Sequence, residues 1–255
     1  MKTKILHKPI LESVNNICYV KKLLANGNLA KDTVVVTSRP PGAGIQSLAE
    51  TVIIDEKLNK FCGSHYYSIN PKTKVFEGDT IRTDDLKRHQ GYGELLRLVS
   101  IIHMQQNKLE LNSIDSLSTA VPFHYKYGFR PDFEHHKDFQ LPLKTNQEFE
   151  PIEFIMKILD LLSVSKGQGT KFKKDVNFLR KKVNTKKTLL KKDMQKLDSL
   201  VNRYIVKHLK HWSEDLFIDG LPMSLSKNYI NKHSDFFNNL FKKHGINYTI
   251  TKIIK

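Results

Sequence analysis

Leu95, Leu98, Val99 and Ile102 recur at the i, i+3, i+4 and i+7 positions that one face of an α-helix buries. Upstream the period falls to two. The β-branched run Thr33-Val34-Val35-Val36-Thr37 predicts a strand stopped by Pro40-Pro41, and residues 51–54, 61–69 and 75–83 predict three antiparallel strands with a turn at Asn70-Pro71-Lys72-Thr73. Residues 109–114 read as another strand, parallel to the one before because a helical crossover joins them. At the start of the chain, Leu11, Val14, Ile17, Cys18 and Leu24 predict a helix over 9–24, closed by Asn26-Gly27. A short helix over 119–127 should end at Gly128, with Phe129 opening a strand.

Beyond residue 143 the pattern is helical. Residues 151–164 carry Ile152, Ile155, Met156, Leu159 and Leu162 on one side, and 165–170 read as a linker. Phe172, Val176, Leu179 and Val183, then Leu190, Met194, Leu197, Val201, Tyr204 and Leu209, form a stripe interrupted near Asn184-Thr185. One long helix or a helical hairpin satisfies it. Two short helices over 228–236 and 238–243 and a strand-like 248–254 complete the chain. The expected fold class is mixed α+β, an α/β sheet domain over 1–145 followed by a basic, mostly helical region over 146–255.

Composition sharpens this only in places. At 255 residues, with 39% hydrophobic and 27% charged, the chain suits one or two globular domains. The net charge of +16 favours acidic partners. Residues 166–210 hold 15 Lys and Arg against 3 Asp, so the excess sits in the helical region. It reads either as a solvated face or as a patch for nucleic acid, the ribosome or an acidic membrane. Cys18 and Cys62 alone make neither a disulfide framework nor a zinc ligand set. No secretory signal and no membrane-length apolar run is evident, which leads to a cytoplasmic expectation. Pro41 to Gly44 and the glycines at 167 and 169 lack the Lys-Ser/Thr of a nucleotide loop. Glu134-His135-His136-Lys137-Asp138 reads as a solvated turn, since adjacent histidines diverge and no separated ligand partner is evident.

The sharper chemistry lies where the third strand meets the helix. Gly91 and Gly93 stand at its first turn, where four N–H groups lack intrahelical acceptors and the macrodipole is positive. Without Cβ atoms they let a group approach the backbone, and Lys87, Arg88 and His89 lie just upstream. The combination suits a phosphate or diphosphate.

With the second stretch, Ala120-Val121-Pro122-Phe123-His124-Tyr125-Lys126-Tyr127-Gly128-Phe129, the chain resembles the GNAT superfamily of N-acetyltransferases over about residues 50–135. Arg88-His89-Gln90-Gly91-Tyr92-Gly93 is similar to that family's Q/R-x-x-G-x-G/A signature. Ala120, Phe123, Gly128 and Phe129 fit its later A-x-x-[LF]-Y-x-x-x-G-F signature. The resemblance implies a mixed sheet whose two central parallel strands splay apart around the coenzyme's pantetheine arm. It implies acetyl-CoA as co-substrate, gripped by Arg88, His89, Gln90, Gly91, Tyr92 and Gly93, with carbonyl and pantetheine contacts on the backbone of Ile81, Arg82 and Thr83. No metal is implied.

Acetyl transfer to an amine also needs a base and an acid. On a regular strand Glu77, Asp79, Ile81 and Thr83 would share a face. Glu77 lies eleven residues before Arg88, the offset at which histone-modifying members of the family carry their glutamate base. Glu77, Asp79 and a water chain are the alternatives. The family's acid is a tyrosine at the position occupied here by His124, with Tyr125 next to it. His124 is then the acid or a coenzyme contact, or the chemistry is altered. The function implied is transfer of acetyl from acetyl-CoA to a primary amine by direct attack in a ternary complex. The alternative is a non-catalytic protein of the same shape whose basic region contacts nucleic acid or a protein partner.

Overall fold

Where a helix is expected over 9–24, residues 18–25 form a strand. The structure, a computed structural model, describes residues 18–25, 28–39, 48–55, 60–84, 91–136, 139, 150–165, 167–186, 189–211 and 220–251. Strand β1 (Cys18–Ala25) runs antiparallel to β2 (Asn28–Arg39), with Ala25 opposite Asn28. The intervening sequence Asn26-Gly27 is a strong two-residue hairpin signal, and with Tyr19-Val20 it outweighs the three-to-four spacing of the apolar residues. Residues 9–17 of that expected helix, and the turn expected at 41–44, lie outside the described residues.

The antiparallel run continues through β3 (Ala49–Asp55), β4 (Lys60–Asn70) and β5 (Val75–Thr83), as the sequence predicts. Asn70 sets its last register. Its Oδ1 accepts from the N–H groups of Lys72 and Thr73 at 3.1 and 3.2 Å, an Asx turn, and Lys74 takes φ 57°. Asn70 then faces Val75, Ile69 faces Phe76, and Ser68 faces Glu77.

In chain order there follow α1 (Tyr92–Gln106), β6 (Leu111–Ser116), α2 (Val121–Lys126), β7 (Arg130–Pro131), α3 (Pro151–Val164), α4 (Thr170–Lys186), α5 (Lys191–His208), β8 (Leu221–Ser226), α6 (Lys227–Lys232) and α7 (Ser234–Lys243). The class is mixed α+β. No helix among the described residues is long and apolar enough to cross a membrane. The chain divides into two compact units, Met1–Asn112 with Ser226–Lys255, and Ser113–Leu225.

In the first unit α1 packs on β3, β4 and β5, and α7 packs on α1. Its core is built on Ile53, Cys62, Tyr67 and Phe76 beneath Leu95, Leu98, Val99 and Ile102. The predicted stripe is there, but the helix is buried almost all round: Glu94, Arg97, Ser100 and His103 are no more than 6% exposed. The close approach of α1 depends on Gly63. A Cβ there would stand 2.8 Å from the Arg82 carbonyl oxygen and 3.4 Å from Leu96 Cδ1. Gly63→Ala should therefore destabilise the protein by about 1–3 kcal/mol, read from its urea midpoint, because the first obstacle is backbone.

The expected terminal strand is corrected. Residues 248–251 are not in a strand, because the Asn238 side chain on α7 donates to Ile250 O at 3.1 Å and accepts from Ile250 N–H at 2.8 Å, supplying what a ladder would.

In the second unit α3 has its predicted bounds, and α4 and α5 form the hairpin rather than one long helix. Thr185 Oγ1 donates to Lys181 O at 2.9 Å inside α4, so the break comes after Lys186. Asp193 opens α5 by accepting from Leu190 N–H at 2.7 Å. Strand β8, which the sequence reading lacks, alternates Leu221, Met223 and Leu225 inward and pairs antiparallel with β7, Arg130 opposite Ser224.

Candidate active site

Three steps along β5, from Gly78 to Ile81, match two along β4, from Tyr67 to His65, so Asp79 and Thr80 stand opposite Tyr66 alone. This is a β-bulge, and it overturns the shared face expected of Glu77, Asp79, Ile81 and Thr83. Glu77 is paired with Ser68 and Arg82 with Ser64, so they lie on one side of the sheet. Ile81, paired with His65, and Thr83, paired with Gly63, lie on the side that α1 covers. Glu77 is half-buried, and Ser68 Oγ donates to its Oε2 at 3.1 Å. Asp79 is exposed and accepts from Thr80 Oγ1 at 3.0 Å.

The ladder decides which backbone groups of β5 are committed to β4. Asp84 N–H donates to Cys62 O at 3.1 Å, so the pair 62/84 is hydrogen-bonded. By antiparallel alternation Arg82 bonds to β4, while the N–H and C=O groups of Ile81 and Thr83 point toward the other edge of β5.

Seven residues after Asp84 the chain enters α1 through Gly91, at φ 84° and ψ 8°. That left-handed conformation suits glycine, whereas an ordinary N-cap residue is extended and supplies a side-chain oxygen. Gly91 supplies none, and its C=O accepts the first helical bond, from Leu95 N–H at 3.0 Å. Tyr92 is buried and Gly93 partly exposed in the first turn. Glu94, in the same turn, turns inward: its Oε1 accepts from Lys243 Nζ at 3.0 Å and is held by His244 Nε2. Arg88, His89 and Gln90 lie outside the described residues.

The first unit also holds a ring cluster with no counterpart among the expected site residues. Tyr67 stacks on Phe76 with centroids 4.6 Å apart, and its hydroxyl lies 3.3 Å from His103 Nε2. Burial disfavours the imidazolium and takes His103 from 6.5 down to about 4. Burial, with Arg97 and His103 nearby, likewise lowers His65 well below its ordinary value. Both histidines therefore bind a proton more weakly in the folded chain than in the unfolded one. The stability from His103 is fully present above pH 6.5 and is lost as pH falls through about 4, roughly 3 kcal/mol in all. Asp198 in the second unit runs the other way, its burial beside Asp132 and Glu134 raising it to about 8, so its contribution grows on acidification. A comparison with His103→Asn isolates the first effect: between pH 7 and 4, wild type should lose about 3 kcal/mol more than the variant in denaturant midpoints.

His124 and Tyr125 belong to the second unit. The short helix α2 ends on Gly128 at φ 89°, with Phe129 N–H donating to His124 O at 3.2 Å and Gly128 N–H to Tyr125 O at 3.1 Å. This is a Schellman ending, and it gives the Gly-Phe pair its reason. His124 is buried, its ring 5.1 Å from Phe123 and 5.6 Å from Phe129. The Tyr125 hydroxyl donates to Asn202 Oδ1 on α5 at 3.1 Å, and the Arg130 guanidinium lies 3.8 Å from its ring centre. The two side chains thus have separate surroundings, as their adjacency on a helix requires.

The turn at 134–136 is more than solvated. His136 is buried, 3.2 Å from Asp115, and His135 Nδ1 lies 2.9 Å from Asp132 Oδ1. The strands that the resemblance would splay, β5 and β6, are carried by different units except for the first two residues of β6.

No protein-family model and no curated protein matches the chain. Among solved structures it is similar to Tetrahymena GCN5, with 19% identity, 39% of this chain and 62% of that one covered, and a TM-score of 0.33. It is also similar to an acetyltransferase of the GNAT family from Desulfovibrio desulfuricans (16% identity, 32% and 57% covered, TM-score 0.29). A third is Rv2747 from Mycobacterium tuberculosis in complex with CoA and NLQ (12%, 69% and 75% covered, TM-score 0.32). The chain spans less than two thirds of the length of the first two. Acetyltransferases recur among these neighbours.

Proposed function

We propose that the chain transfers an acetyl group from acetyl-CoA to a primary amine by direct attack in a ternary complex. One observation carries the reading: a bulged strand that turns backbone groups of Ile81 and Thr83 to its edge is followed by a helix opened by a left-handed glycine with no side-chain cap. The first-turn N–H groups, Gly93 among them, then hold the coenzyme diphosphate together with Arg88, His89, Gln90 and Tyr92. Each dipole contact contributes only about 0.3–1 kcal/mol, so several must act together. Ile81 and Thr83 line the pantetheine and thioester; Arg82, also expected there from the resemblance, has its backbone committed to β4.

In the reaction the amine nitrogen attacks the thioester carbon, its proton passes to the Glu77 carboxylate, the C–S bond breaks, and the departing thiolate takes a proton. The resemblance puts His124 at the position of the acid that gives that proton. Tyr125 serves by holding α2 to α5. Glu77 to Tyr125 all fall in 1–145, the region expected from the sequence to be the acetyltransferase, and the two compact units cut across that boundary. Titration calorimetry tests the reading. Wild type should bind acetyl-CoA saturably and a Gly91→Glu, Gly93→Glu variant should not, whereas equal binding by both would remove the glycine turn from the site.

A further inference from the structure

One face of α4 carries a cluster of the helical region's cations. Its apolar side, Phe172, Val176, Leu179 and Val183, is fully buried within the second unit. On the opposite side lie Lys174, Phe178 and Lys181, flanked by Lys171 and Lys173, and all are exposed. Three other cations of the hairpin are paired: Arg180 with Asp160 at 2.7 Å, Lys182 with Asp193, and Lys196 with Asp175 at 2.8 Å. Among the described residues, Lys171, Lys173, Lys174 and Lys181 have no acidic partner. Asp175, the one carboxylate on α4, is taken by Lys196.

Phe178 changes what this face can recognise. It is 53% exposed, with Lys174 and Lys181 about one turn to either side and Lys196 Nζ 5.0 Å from its ring centre. A ring presented to solvent between cations offers a base a stacking surface and its phosphates counter-charges. Duplex bases are already stacked, whereas unstacked bases are the ordinary state of RNA loops and single strands. A membrane surface would need an apolar face, and the apolar face of α4 is already buried.

We infer that the outer face of α4 docks a single-stranded nucleic acid, with Phe178 stacking on one base and Lys171, Lys173, Lys174 and Lys181 contacting phosphates. Fluorescence anisotropy of the full chain with a twelve-nucleotide oligouridylate tests it. Binding should weaken with salt at a log–log slope of about −2 to −3, the value for three or four neutralised phosphates on a single strand. Phe178→Ala should weaken binding about tenfold at unchanged slope, and Lys174→Ala with Lys181→Ala should make the slope shallower by about 1.4. These positions are exposed, and unchanged helical circular dichroism would show that the variants fold. Any of four results overturns the inference: no binding at 50 mM salt, equal affinity for duplex RNA of the same length, displacement by polyglutamate at equal charge, or full affinity in Phe178→Ala.

Discussion

Glu77→Gln should slow acetyl transfer about 100- to 10,000-fold, the span over which a positioned general base contributes, while leaving acetyl-CoA affinity within about twofold. Glutamine keeps the volume of glutamate and can still accept the 3.1 Å hydrogen bond from Ser68, but it cannot take the ammonium proton. The bulge is what makes the prediction selective. It places Glu77 on the opposite side of the sheet from Ile81 and Thr83, so the variant alters the proton acceptor without disturbing the backbone that lines the thioester. Release of free CoA thiol should be followed with a lysine peptide, a peptide offering only its N-terminus, and a diamine. Asp79→Asn, at an exposed carboxylate bonded to its neighbour, should change the rate little. A wild-type rate for Glu77→Gln across pH 6 to 9 would exclude Glu77 as the base.

Glu94→Leu should cost about 3–5 kcal/mol of stability, because it removes the buried carboxylate that the His244 ring and Lys243 Nζ share. Glu94 and His244 side chains are 7% and 4% exposed, and the same carboxylate oxygen takes Lys243 Nζ at 3.0 Å. The carboxylate also sits in the first turn of α1, where the dipole favours negative charge. The double variant Glu94→Leu, His244→Leu should be more stable than Glu94→Leu alone, since it removes the buried ring as well and leaves only Lys243, half exposed to water, to lose the contact. Chemical denaturation measures both. A Glu94→Leu protein within 1 kcal/mol of wild type would show that the contact contributes little.

This contact also shows where the sequence stops being readable. The stripe of α1 is legible because its neighbours in space are its neighbours in sequence, three and four residues on. The burial of Glu94 is not, because its partners lie about 150 residues away on the end of α7. The hairpin β4–β5 is legible from Asn70, which makes its turn locally, and counting back from that turn puts Ser68 opposite Glu77. The end of α2 is legible from Gly128 for the same reason. The bulge did carry a local sign: an isolated glycine inside a strand, Gly78, often marks one, and only the ladder fixes its place between Gly78 and Ile81. Two local signals are ambiguous: Asn26-Gly27 suits a helix end as well as a hairpin, and Pro222 sits within the alternation of Leu221, Met223 and Leu225. The ring cluster of His65, Tyr67, Phe76 and His103 had no sequence signal, since it assembles from two strands and a helix.

The central claim is that the amides opening α1 hold the coenzyme diphosphate, and amide chemical shifts report on them one by one. On titration with acetyl-CoA, the N–H resonances of Tyr92, Gly93 and Glu94 should show the largest shifts in the protein, and inorganic pyrophosphate should move them in the same direction. Saturable acetyl-CoA binding with those three resonances unmoved would contradict the account.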